Sequence, residues 1–109
     1  MAVPTLTYKT AIVDGSTVGN NTIVAADTNN KINVHGYVLF CGTSGEARWE
    51  DGTDGTALTG RMDADDSATI VAPFSEIPWF STSVNTLLNL EVTKASSSWQ
   101  GHIIYSLTT

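Results

Sequence analysis

The sequence predicts an all-β domain, a single antiparallel jelly-roll-like β-sandwich of about eight strands. Three observations predict it. Apolar residues recur with period two, as at Leu88, Leu90 and Val92 with Asn89 and Glu91 between them, or at Ile103, Tyr105 and Leu107. Turn-forming clusters (DGSTVGNN, DTNN, GTSG, DGTDG, DADDS, KASSS) fall every 8–12 residues or so. Helical spacing is not sustained over any window of about 11 residues.

Taken in order, the expected strands are Leu6–Val13, Thr22–Ala26, Ile32–Cys41, Glu46–Glu50, Ala57–Met62, Ala68–Ala72, Leu87–Lys94 and Trp99–Leu107. In the third, Ile32, Val34, Val38 and Phe40 share one parity and are assigned to one face, interrupted by Gly36. Only Ser83–Leu90 could host a helical turn. Residues 1–21 read as an N-terminal strand or arm. Trp49 and Trp99 alternate with polar neighbours and read as strand residues with one face buried. Prolines at 73 and 78 leave residues 73–85 as the one long non-strand segment.

Size and charge narrow the function. The 109 residues form one domain, 1–109, large enough to bury roughly 11,000 Å² on folding. Hydrophobic residues make up 41% and charged residues only 15%, a composition of strands and polar turns. Net charge is −6 and the five basic residues are scattered, so no cluster neutralises a run of phosphates and nucleic acid is not an expected partner. No apolar run approaches 18 residues, so no membrane span is expected. The N-terminus lacks the basic and apolar regions of a signal peptide. The single cysteine, Cys41, excludes an internal disulfide and fits synthesis in a reducing compartment.

The candidate chemical sites each meet a simpler reading. Residues 49–60, WEDGTDGTALTG, resemble a metal or phosphate loop. Counted from Asp51, however, an EF-hand template places Gly55 at its fifth position and Met62 at its twelfth, and no lysine supplies a phosphate loop. Two Asp-Gly dipeptides instead suit a tight turn. Asp63, Asp65 and Asp66 read as a solvated turn or a weak hard-cation site. With Glu50, Asp51 and Asp54 they would form an acidic rim if neighbouring hairpin ends meet. No metal or cofactor is expected. Gly42–Glu46 has Glu where a nucleophile elbow needs Gly, and no helix follows. His35 lies six residues from Cys41 on one strand, about 20 Å away; His102 is unplaced by the sequence. Two histidines and one cysteine make a poor zinc set. Each histidine reads as a residue on the polar face of its strand, Cys41 as a buried inert thiol, and no catalytic residue is expected.

The aromatic segment Pro73–Phe80 carries more. Phe74, Ile77, Trp79 and Phe80 either plug the open end of the sandwich, make an exposed contact with a protein partner, or offer a platform for a sugar ring. As a core plug, Trp79 would cost about 3–5 kcal/mol on truncation to alanine.

The runs G-Y-V-L-F-x-G-x-S-G-x-A (Gly36–Ala47), D-G-T-x-G-T-A-L-T-G-x-M (Asp51–Met62), I-V-x-P-F-x-x-x-P-W-F-x-T (Ile70–Thr82), L-x-L (Leu88–Leu90) and G-H-I-I-Y (Gly101–Tyr105) resemble small virion proteins of tailed bacteriophages. That resemblance implies a single jelly-roll-like domain that decorates or cements the capsid exterior. It also implies a homotrimer bound to the major capsid protein, on the virion surface after synthesis in the host cytoplasm. Similar β domains occur at fibre tips, so a carbohydrate- or receptor-binding module is the alternative. Low strand charge leaves sheet edges poorly guarded, which favours a closed oligomer.

Overall fold

The computed structural model describes residues 6–94 and 97–109. It contains no helix among them and ten strands: β1 Lys9–Gly15, β2 Gly19–Val24, β3 Lys31–Cys41, β4 Gly45–Asp51, β5 Thr56–Ala57, β6 Met62–Ala64, β7 Ala68–Ala72, β8 Phe80–Ser81, β9 Leu88–Val92 and β10 Trp99–Thr108. All pairings are antiparallel. Sheet A runs β1-β10-β3-β7, with β8 also on β3; sheet B runs β2-β9-β4-β5, with β6 also on β4. The chain crosses between sheets after β1, β2, β3, β6, β8 and β9, which is the winding of a jelly roll. An accessible surface of 5858 Å² matches the roughly 5,800 Å² that surface scaling gives a compact chain of this mass.

Most expected strands are present within two or three residues, and the departures have physical causes. Ala57–Met62 divides into β5 and β6, which pair with opposite halves of β4 and are separated by Leu58–Arg61. β8 is a strand where the sequence suggested none: Phe80 and Ser81 find room on β3 beyond the end of β7. Ser83–Leu90 holds no helical turn. β1 begins at Lys9 rather than Leu6, and Met1–Thr5, the start of the expected N-terminal arm, lies outside the described residues, as do 95–96 of the Lys94–Ser98 turn.

The largest departure lies inside β3. Gly36 pairs with Ile104 and Val34 with Tyr105, so His35 is an extra residue on β3 opposite a continuous β10. Such a bulge reverses the parity of everything after it. Ile32 and Val34 face the core, but so do Leu39 and Cys41, all at 0–1% exposure. Val38 and Phe40, assigned with Ile32 and Val34 to one face, emerge on the opposite one.

Between the sheets lies a core built on Val13, Ile32, Val34, Leu39, Trp49, Leu88, Leu90, Val92, Trp99 and Ile103, each fully buried. Both indoles are enclosed on all sides, not one; the Trp49 indole lies against the Tyr37 side chain, and the Trp99 N–H has no hydrogen-bond partner among the described residues. Shape in the narrow sandwich outweighs that polar cost, because an indole removes about 150–250 Å² from water. At the β4–β5 hairpin the chain turns through Gly52 (φ 85°) and Asp54 (φ 52°), closed by Gly55 N–H donating to the Gly52 carbonyl at 3.1 Å. A Cβ on Gly55 would sit 1.8 Å from the Asp51 carbonyl oxygen, so only glycine fits there. The acidic stretch 49–60 is a hairpin turn.

Candidate docking surface

The two outer faces of the sandwich differ in kind. On sheet B, Arg48 Nε contacts Glu50 at 2.8 Å and Glu91 at 3.7 Å, while Arg61 reaches Glu91 at 3.3 Å and Glu46 at 3.7 Å. Glu50 is fully buried under this layer, with Asn89 Nδ2 donating to its second oxygen at 3.0 Å. Asn89 also donates to Asn20 at 2.7 Å. Alternating charge and amide groups satisfy one another, and this face offers a partner few free groups.

Sheet A carries the opposite surface. Ile12 on β1 pairs with His102 on β10, His102 with Val38 on β3, and Val38 with Val71 on β7, so the four form one row across the sheet. The adjacent row is Asp14, Gln100, Phe40 and Thr69. Ile12 is 80% exposed, Val71 59% and Phe40 47%. Isolated apolar residues on a surface are ordinary; a row of three with Phe40 adjoining it marks a candidate interaction site. The bulge at His35 is what puts Val38 and Phe40 here.

The aromatic segment borders that face. Leaving β7, the chain runs through 73–79 before rejoining β3 as β8. Ser75 N–H donates to the His35 carbonyl and Trp79 N–H to the Val34 carbonyl, both at 2.8 Å, and the Trp79 indole closes the loop onto the Pro73 carbonyl at 2.9 Å. Phe74, Ile77 and Trp79 stay 52%, 79% and 54% exposed. Phe80 alone turns inward, against Tyr37 and Trp49 with ring centroids 6.3 and 6.2 Å away. Of the four side chains, one helps to close the core and three present themselves outward. A shallow cleft of about 180 Å³ lies between Phe74 and the rows, with Gly36, Val38, Val71, His102 and Ile104 on its walls.

His35 anchors the segment. It faces outward yet is fully buried, its Nδ1 2.9 Å from the Ser75 carbonyl and its Nε2 2.7 Å from Ser106 Oγ. Tyr8 packs edge-on against both the His35 ring, at 5.0 Å, and the Phe74 ring, at 5.2 Å. The bulged residue thus tethers the aromatic loop and the approach to β1 to one point of sheet A. His102, by contrast, is exposed.

The acidic residues do not converge. Asp51 and Asp54 stand at one end of β4, whereas Asp63, Asp65 and Asp66 stand by the Gly45 end, the length of seven strand residues or about 20 Å away. Asp51 accepts bonds from Ser83 N–H and Oγ–H at 2.8 and 2.6 Å, Asp54 from Asn20 Nδ2 at 3.1 Å, and Asp66 from Ser44 N–H. These carboxylates pin loops. Glu50, counted with the rim, is buried in the ionic layer of sheet B. Among the described residues no three His, Cys, Asp or Glu side chains gather as a metal would require. Cys41 is buried, its thiol turned to the Thr43 carbonyl. It pairs with Trp99 while His102 pairs with Val38, three positions along the sheet and beyond contact. Burial, then the Asp66 carboxylate, raises the Cys41 pKa above the ordinary thiol value.

Sequence parity missed Val38, Phe40, Val71 and Ile12 as a surface. A signal for it existed: Tyr37–Phe40 is an unbroken apolar run, which places apolar groups on both faces of a strand. No protein-family model matches the chain, and no match to it was found among curated proteins.

Proposed function

We propose that the protein is a non-catalytic structural subunit that docks through the outer face of sheet A onto a larger protein shell. The shell that the resemblance implies is a tailed-phage head, where the chain would decorate or cement the major capsid protein after synthesis in the host cytoplasm. One observation carries the reading: the contrast between a self-satisfied ionic face on sheet B and, on sheet A, the largely apolar row Ile12–His102–Val38–Val71 with Phe40 beside it. A non-polar patch bordered by Phe74, Ile77 and Trp79 gains from removal from water, and aromatic groups are favoured anchors in protein interfaces. The net charge of −6 adds attraction to basic patches on a shell.

The exposed Trp79 indole supports a second reading, a sugar- or receptor-binding fibre-tip domain. Against it, the indole N–H is already committed to the Pro73 carbonyl. Co-sedimentation with purified heads of the parent phage tests the first reading, and a glycan array the second. Docking predicts that Val71→Lys abolishes co-sedimentation while the fold is retained. Binding unchanged by Val71→Lys and Phe40→Lys, or specific glycan capture lost with Trp79→Ala, would overturn it.

A further inference from the structure

The fold has four sheet edges, and three are short, interrupted or irregular, which disfavours strand pairing. The β7–β8 edge offers only the five residues of β7 before the 73–79 segment, with its two prolines, interrupts it. β5 and β6 are two and three residues long. β2 has a register shift between Thr22 and Val24, and its Asn21 amide turns back onto the Thr17 and Leu90 carbonyls. β1 is different. Its seven residues pair with β10 without a register shift, it contains no proline, and no charge lies between Lys9 and Asp14. An edge strand directs about half of its N–H and C=O groups away from its neighbour. Among the described residues no further backbone bond reaches Lys9–Gly15 on that side.

We propose that β1 is a self-pairing edge, through which two copies of the chain join antiparallel about a twofold axis at Ile12. A twofold normal to the sheet keeps both outer faces on one side, so residues placed opposite must share parity. Centring on Ile12 meets that condition and uses all seven residues. Ile12 then meets its own copy, Thr10 faces Asp14 of the other copy, Ala11 faces Val13, and Lys9 faces Gly15.

Charge selects the same arrangement. Antiparallel pairing sets Asp14 of one copy opposite Thr10 of the other on the outer face, whereas parallel pairing would set like ends, and the two Asp14 carboxylates, together. Asp14 receives Gln100 Nε2 on one carboxylate oxygen at 3.2 Å, which leaves the other for Thr10 Oγ–H of the second copy. Threefold assembly by strand addition would need a second long open edge on each subunit, and the others are short, interrupted or irregular. The proposed dimer is an alternative to the trimer that the resemblance implies. It joins the apolar rows of two subunits into one sheet face of doubled width. The pairing does not depend on docking to a shell.

The test uses the full chain. Sedimentation equilibrium from 1 to about 100 µM should give twice the 11.6 kDa chain mass. Under mild oxidation Ile12→Cys should form a covalent dimer, while Val71→Cys, on the same face but at the far edge, should not. Ile12→Lys sets two ammonium groups at the axis and should raise the dissociation constant tenfold or more, with circular dichroism unchanged. Asp14→Lys or Thr10→Asp alone should weaken the dimer about threefold, and the two together should restore it, because residues 10 and 14 face each other on the outer face. A monomer throughout the range, a trimer indifferent to Ile12→Lys, or equal cross-linking from Val71→Cys would overturn the proposal. A dimer that fails to bind heads removes the docking reading alone; a monomer that binds them removes this one alone.

Discussion

Glu50 shows how a single side chain on the outside of a strand becomes part of the interior. Its carboxylate is fully enclosed, held by Arg48 on one oxygen and Asn89 on the other. Removing one partner of a buried pair leaves a charge without compensation. Arg48→Ala should cost on the order of 2–3 kcal/mol, toward the low side because the arginine keeps 27% exposure and water can follow. Arg48→Ala combined with Glu50→Gln should recover part of that loss; urea melts of both variants check it. At Cys41 the consequence is kinetic. A buried thiol whose pKa is raised has little thiolate at pH 8. A chromogenic disulfide reagent should modify Cys41 at least about a hundredfold more slowly in the native protein than in denaturant; equal rates would show an open site.

The elements depend on backbone contacts that some residues cannot make. On β10, Gly101 has φ of 150° and a Cβ there would lie 1.9 Å from the Val38 carbonyl oxygen. Gly101→Ala should therefore separate β10 from β3 and cost about 2 kcal/mol or more, whereas Gly60→Ala, with nothing within 4 Å, should stay within about 0.5 kcal/mol of the parent. Denaturation midpoints of the pair measure the difference. The acidic turns are a separate matter, since their carboxylates hold loops and stand apart at the two ends of β4. Asp54→Asn, Asp65→Asn and Asp66→Asn together should leave the Tm within about 3 °C, with calcium or chelator alike; a calcium-dependent rise in the parent that the triple variant loses would reveal a metal site.

For the whole molecule, the asymmetry of its outer faces sets what mutation can separate. Side chains on sheet A that face water add little to stability, so Val71→Lys should leave the melt almost unchanged. Trp79→Ala, with the indole half in solvent, should cost about 1 kcal/mol or less rather than the 3–5 kcal/mol of a core indole. Trp49→Ala, at 0% exposure, should show the full penalty and serves as the reference. Thermal melts of the three variants, run beside head-binding assays, distinguish surface from core directly.

The sequence by itself determined the fold class, most strands and the inner faces of β9 and β10, because Leu88, Leu90, Val92, Ile103, Tyr105 and Leu107 alternate without interruption and period two is a local property. It also identified the 49–60 loop as a turn, since Asp-Gly chemistry is local too. Only the tertiary structure decided the outer face of sheet A. One extra residue, His35, has no marker in the one-dimensional pattern, and its effect exists only in register against β10. From that shift follow the exposure of Val38 and Phe40 and the tether that presents Phe74 beside them. The distance between the acidic loops was hidden for the same reason: which hairpin ends meet depends on strand order, and strand order is set by packing between segments far apart in the chain.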